Sequence, residues 1–240
     1  LQQFEPKLSK LGNDRDLWWV VPFSARYIVG IAGHRFAGTS TALTYLGEKL
    51  GFRLYTISQE LREIARKQGV PQGSREQLQD LGDELRAQRQ DSGYLARLVL
   101  QRIRADQLHR PENRARIAVG GFKHPGELEV FEKLNNFHFL RLDVGVEKRH
   151  QRAVDSGMLD LEHGEGKPGL TWFKREVDKR DRDGRGIHEW TGEYGQWVDG
   201  ILDRSGKHIK NSSTRGELFE SIGKWIEELD LEHQDPEMEP

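Results

Sequence analysis

The residues best suited by type and spacing to do chemistry form one stretch, Gly33-His34-Arg35-Phe36-Ala37-Gly38-Thr39-Ser40. It has the phosphate-loop spacing G-x-x-x-x-G-K-[ST], with Thr39 where the lysine belongs. Such a loop offers successive backbone N–H groups to phosphate oxygens, and the helix that it opens adds the positive end of its dipole. Residues 33–41, Thr41 included, are the candidate nucleotide-binding segment, and the Ser40 hydroxyl is the candidate Mg2+ ligand. The spacing alone suits an ordinary strand-to-helix turn equally well. With the lysine missing, phosphoryl chemistry needs another cation, and Arg35, Lys123 and Lys167 (in Gly164-Glu-Gly-Lys-Pro-Gly169) are the candidates. Asp143, which ends an apolar run, either positions Mg2+ through water or is a strand-end turn residue.

The elements that must position these residues follow from apolar periodicity. Tyr27 to Ala32 reads as a buried strand leading into the loop. Thr39 to Leu50 reads as the helix after it, with Ala42, Leu43, Leu46 and Leu50 in one stripe and Gly51 as its end. Further strands are expected at Arg53 to Ile57, Arg116 to Val119, Phe137 to Asp143 and near Ile209. Helices are expected at Gln59 to Lys67, Ser74 to Arg89 (opened by the capping box Ser74-Arg-Glu-Gln77), Tyr94 to Ala105, Pro125 to Leu134, Glu147 to Val154 and Thr171 to Arg180. Thr214-Arg-Gly-Glu217 caps a last helix with Leu218, Ile222, Trp225, Ile226 and Leu229 on one face. Short apolar strands alternating with helices predict a parallel sheet covered on both sides, with ligands at the carboxyl ends of its strands.

Composition narrows the function classes. The 240 residues suit one domain, or one domain with an insertion, and 37 Lys plus Arg against 39 Asp plus Glu give no global pull toward nucleic acid or anionic lipid. Zero cysteines exclude disulfides, thiolate metal sites and cysteine nucleophiles. The longest apolar runs, Leu17 to Phe23 and Tyr27 to Ala32, fall far short of the roughly 18 residues of a membrane span, and with no visible leader a cytoplasmic location is expected. The nine histidines show no metal-binding spacing, and no Gly-x-Ser-x-Gly elbow is present. Arg102, Arg104, His109, Arg110, Arg114 and Arg116 form the densest basic cluster; without aromatic residues to stack bases, it reads as a solvated helix end rather than a polynucleotide track. Residues 1–24 read as an N-terminal extension and 231–240 as an acidic tail; Leu17 to Phe23 either packs on the body or docks a protein partner or fused domain.

Taken in order, Tyr27-Ile-Val-Gly-Ile-Ala-Gly33, Gly38-Thr-Ser-Thr41, Leu61-Arg62-Glu63 and Leu81-Gly-Asp-Glu-Leu-Arg86 resemble the P-loop nucleoside monophosphate kinase superfamily, in particular its adenylate-kinase-like and dephospho-coenzyme-A-kinase-like members. The likeness continues through Gly120-Gly-Phe-Lys123, Pro125-Gly-Glu-Leu-Glu129 and Leu142-Asp-Val144 with Glu147, Arg149 and Arg152, and covers residues 26 to 229. The resemblance implies an α/β three-layer P-loop NTPase fold with a parallel five-stranded sheet, spanning 25–230, with a helical acceptor-binding insertion at 59–107 and a short lid at 157–169. It implies ATP or another nucleoside triphosphate with Mg2+ as cofactors. Arg62 and Arg86 would take the acceptor phosphate, and Arg149 and Arg152 at the lid base would serve the donor, Arg149 as a catalytic cation. Two departures stand out: Thr39 replaces the lysine, and Gly120 stands where many relatives carry an aspartate, with Lys123 in an arginine position. The resemblance therefore leaves two readings open, a phosphotransferase acting on a nucleotide-like acceptor and a pseudokinase that senses a nucleotide.

Overall fold

The structure is a computed structural model and describes residues 25–69, 75–109, 115–158, 169–178 and 194–233. Five strands, β1 (Tyr27–Gly33), β2 (Arg53–Thr56), β3 (Arg116–Gly120), β4 (Phe137–Asp143) and β5 (Lys207–Lys210), form one sheet in the order β2-β3-β1-β4-β5. Every pairing is parallel, with Tyr27 opposite Arg116 on one side of β1 and Ile28 opposite Phe137 on the other. β1 is central and all seven of its residues are buried, which explains its unbroken apolar character. The two faces alternate along it: Ile28 and Ala32 enter one core, and Tyr27, Val29 and Ile31 the other.

Helices supply the outer layers. On the first face lie α2 (Ile57–Lys67), α3 (Arg75–Arg89), α4 (Tyr94–His109), α5 (Pro125–Glu132) and α8 (Val198–Leu202), burying Leu61, Leu85, Val99, Leu128 and Ile201. On the second lie α1 (Thr39–Leu50) and α9 (Arg215–Glu232), burying Leu46, Ile222 and Trp225. The result is the three-layer parallel α/β arrangement that the alternation predicts. Local signals placed several ends well: Gly51 stops α1 at φ 71, and the Thr214 hydroxyl accepts from the Glu217 N–H at the start of α9. The capping box at Ser74 lies outside the described residues.

Three elements differ from expectation. α4 runs on to His109 rather than stopping at Ala105. The helix expected from Thr171 is instead a single turn, α7 (Leu170–Trp172), opening into a π-helical stretch, Phe173–Asp178, which buries Phe173 and Val177 together against Ala153 of α6 (Val146–Asp155). α8 was not anticipated, because its five residues are too few to show a period, yet Val198 and Ile201 are fully buried. The Leu17 to Phe23 segment, most of the expected lid and the acidic tail beyond His233 fall outside the described residues. No helix among the described residues is long and apolar enough to cross a membrane.

Candidate nucleotide-binding cleft

β1 delivers the chain to the carboxyl end of the sheet at Gly33, where a Cβ would stand 2.8 Å from the Leu142 carbonyl oxygen of β4. Only glycine lets the two backbones approach that closely. The loop then turns through two left-handed residues, Phe36 at φ 66 and Gly38 at φ 98, and the Ala37 N–H closes on the His34 carbonyl at 2.9 Å. α1 begins at Thr39 with no acidic residue in its first turn, so the positive end of its dipole is left for a ligand.

An anion-binding loop must turn its carbonyl oxygens away from the anion, and here three successive ones face donors outside the loop, the last of them in a short hydrogen bond. The Arg149 Nη1 reaches the Arg35 carbonyl at 3.5 Å, the Arg152 Nη1 the Phe36 carbonyl at 3.4 Å, and the Asn211 Nδ2 the Ala37 carbonyl at 2.8 Å. The donors support one another, since the Arg152 Nη2 also donates to the Asn211 carbonyl at 2.7 Å. Phe36 packs its ring 5.9 Å from Phe173, and the Arg35 guanidinium lies 4.8 Å from the Phe36 ring centre. On the other flank the His34 Nε2 stands 2.9 Å from the Asp199 carboxylate of α8.

The loop forms one wall of a cleft of about 890 Å3 that continues past α2 and α3 to Lys123 and the segment after β5. Its electrostatics are one-sided: Arg35, Arg62, Arg86, Lys123, Arg152 and Arg215 line it, and Glu127 is the one carboxylate among the described lining residues. Glu127 is already neutralised, accepting from the Arg86 Nη1 at 2.9 Å and from the backbone N–H groups of Lys123 at 2.7 Å and His124 at 3.2 Å. Arg152 has no carboxylate partner among the described residues, and burial lowers its pKa from the usual arginine value. A phosphate oxygen would relieve that desolvation.

The sequence-derived candidates separate cleanly. Gly33, His34, Arg35, Phe36, Gly38, Thr39, Ser40, Thr41, Arg62, Arg86, Lys123 and Arg152 all line the cleft. Ala37 does not; it is buried beneath the loop. Arg149 does not either: at 1% exposure it sits behind the loop, with its Nε donating to the Val144 carbonyl at 3.0 Å. Arg86 lines the cleft but is bound on every side, by Asp83, Glu127 and the Tyr194 carbonyl. Asp143 lies outside the lining, its carboxylate 3.7 Å from the His208 Nε2, and Lys167 falls outside the described residues. At Gly120 a Cβ would meet the Leu43 Cδ1 of α1 at 2.4 Å, so an aspartate there would require the end of the Leu43 side chain to move.

These placements bear on Mg2+. The cleft offers the Ser40 hydroxyl and no free carboxylate among the described residues, so a Mg2+ ion there would rest on nucleotide phosphates and water rather than on a protein cage. In the basic cluster, Arg102 is claimed by Glu60 and Glu63, and Arg116 by Asp230 and the Leu50 carbonyl, which removes both from any polynucleotide track. Sequence reading missed Asn211, Ser213 and Arg215. Their signal was the polar run Asn211-Ser-Ser-Thr214 directly after an apolar strand, at the end of the sheet where ligands bind.

No protein-family model and no curated protein matches the chain. Among solved structures it is similar to a putative kinase from Chloroflexus aurantiacus J-10-fl, at 10% identity over 87% of this chain and 97% of that one, with a TM-score of 0.50. It is also similar to shikimate kinase from Aquifex aeolicus VF5 (14% identity, 85% and 98% covered, TM-score 0.41) and to a gluconokinase from Sinorhizobium meliloti 1021 (10% identity, 87% and 98% covered, TM-score 0.42). Together with the sheet order, the likeness to the Chloroflexus structure shows the three-layer parallel α/β fold of P-loop NTPase type.

Proposed function

We propose that this P-loop kinase-fold chain binds a nucleoside triphosphate on residues 33–41 and transfers its terminal phosphoryl group to a small nucleotide-like acceptor held between α2, α3 and Lys123. The observation that carries the reading is the make-up of the cleft wall, which Arg35, Arg62, Lys123, Arg152 and Arg215 line together with Arg86, itself paired with Glu127 and Asp83. Phosphoryl transfer asks a protein mainly for position and charge neutralisation, and a cleft lined in this way supplies both. Arg35 and Arg152 stand on the loop side, where the donor phosphates would lie; Arg62 and Lys123 stand on the acceptor side. Forked guanidinium donors suit the oxygens of a phosphoryl group, and Lys123 offers a compact charge for the bridging position that Thr39 leaves without a cation. Among the described lining residues the Ser40 hydroxyl would be the loop's ligand toward Mg2+, which would supply charge neutralisation at the phosphates.

A second reading, a nucleotide sensor without transfer, is favoured by one specific observation. Position 120 is a glycine whose nearest side-chain neighbour is the apolar Leu43, so no carboxylate stands there. Calorimetry with ATP, GTP and ADP, with and without Mg2+, tests the shared claim; at least one should bind, and none binding would end both readings. A radiolabel transfer assay over nucleoside monophosphates, deoxynucleoside monophosphates and dephospho-coenzyme A then separates them. Turnover within tenfold of the kinase range of about 1–100 s⁻¹ establishes the enzyme, and a flat panel from nucleotide-binding protein establishes the sensor for those acceptors. Under the sensor reading, Thr39→Lys tightens nucleotide binding and leaves the transfer panel flat.

A further inference from the structure

At the opposite end of the sheet from the cleft, two imidazoles meet. His138 is the second residue of β4, and His233 follows the last residue of α9. Their Nε2 atoms face one another at 3.4 Å, with ring centres 5.0 Å apart and planes at 85°. The His233 Nδ1 lies 3.0 Å from the Leu229 carbonyl oxygen, which can only accept, so Nδ1 carries the hydrogen and a neutral His233 ring keeps its lone pair on Nε2. A backbone carbonyl fixing the far nitrogen is the arrangement that orients histidines toward metal ions.

From this geometry we infer that His138 and His233 form a binding site for a divalent transition-metal ion of the zinc class, clamping the end of α9 to the start of β4. Two Zn–N bonds of about 2.0–2.1 Å opened to a tetrahedral angle place their nitrogens roughly 3.3–3.4 Å apart, and the observed separation matches that span. Imidazole nitrogens suit Zn2+, Cu2+ and Ni2+ over Mg2+ and Ca2+. The surroundings fit as well. The Tyr27 ring packs on both imidazoles, 5.9 Å from His138 and 5.1 Å from His233, and walls the pair on its core side. Of the neighbouring charges, Asp230 is engaged by the Tyr27 hydroxyl, Arg26 and Arg116, while the negative charge of Glu232 acts on His138. No third histidine or carboxylate completes a cluster among the described residues, so a bound ion would take its remaining ligands from water. The site is independent of the nucleotide cleft, which lies at the carboxyl ends of the strands.

The test uses the full chain, stripped with EDTA and dialysed, titrated with ZnCl2 by calorimetry and with CoCl2 by visible absorption. The expected result is one saturable Zn2+ per chain, a Co2+ d–d band, and a Zn2+-dependent rise in Tm of about 2–4 °C or more. His233→Gln, at the half-buried end of α9, should weaken Zn2+ at least tenfold and abolish the Tm rise; His138→Gln should do the same. An absence of saturable Zn2+ binding up to about 1 mM overturns the inference and leaves the pair as an Nε2–H···N hydrogen bond. So does Zn2+ binding that survives His233→Gln.

Discussion

Arg149→Met separates an arginine held behind the loop from one that lines the cleft. Methionine keeps the length of the side chain and removes the guanidinium, which in the parent is 1% exposed and donates to the Val144 carbonyl at 3.0 Å. Its second contact, to the Arg35 carbonyl at 3.5 Å, is too long to count fully. A hydrogen bond to a charged donor is worth about 1.5–3 kcal/mol, and no water can reach this position to replace it. With total stability of about 5–15 kcal/mol the variant still folds. For a domain of this size each kcal/mol lowers Tm by about 2–4 °C, so a fall of roughly 3–12 °C is expected. Nucleotide affinity, measured by calorimetry on the folded variant, should drop less than tenfold, because Arg149 lies behind the loop. Arg152→Met supplies the contrast: part-exposed and lining the cleft, it should give the smaller Tm change and lose tenfold or more in affinity, about 1.4 kcal/mol. An Arg149→Met protein with parental Tm and a hundredfold loss of nucleotide binding would refute the reasoning and return Arg149 to the phosphates.

Other perturbations reach the neighbouring parts of the site. Gly38→Ala puts a Cβ 2.5 Å from the Asn211 Nδ2 at φ 98, and should abolish nucleotide binding in calorimetry while costing about 1–3 kcal/mol in a urea titration. Gly120→Asp drives its side chain into Leu43 and should destabilise by about 1–3 kcal/mol or more; adding Leu43→Ala should recover part of that loss, a non-additivity read from the two urea midpoints. At alkaline pH, Tyr55 matters: burial first, and then its hydrogen bond to Asp106 at 2.8 Å, raise its pKa above the ordinary tyrosine value. The folded state therefore holds this proton more tightly than the unfolded state, so its stabilisation is complete below about pH 10 and is lost as pH rises toward the folded value. Tyr55→Phe should flatten the decline of Tm between about pH 9 and 11, and Tyr27, shifted the same way, keeps part of the slope.

What the sequence disclosed and what it withheld divide along a physical line. β1, the loop and α1 were legible because an unbroken apolar run, two spaced glycines and a clean helical stripe are local signals. α8 and the π-helical stretch were not, since five and six residues are too short for a period and both are set by burial against distant partners. In the site, backbone-defined positions such as Gly33 and Gly38 could be placed by their spacing together with the strand before them and the helix after them. The arginines could not, because residue type says that a guanidinium is present but not which way it points. Arg149 and Arg152 are three apart on α6, yet one is sealed behind the loop and the other lines the cleft. Asn211 was hidden for the same reason: its importance comes from a carbonyl 174 positions earlier in the chain.

The interlock of Leu43 with Gly120 has a historical consequence. Starting from the present pair, an acidic residue at 120 alone collides with Leu43, and a small residue at 43 alone opens a void against Gly120. Each single step is uphill, and only the double change arrives at a packed strand end with a carboxylate. Selection that proceeds one substitution at a time would meet a stability cost at the first step before any gain in chemistry appeared. Position 120 is thereby coupled to position 43, so a carboxylate is reached there by a paired change rather than by one substitution.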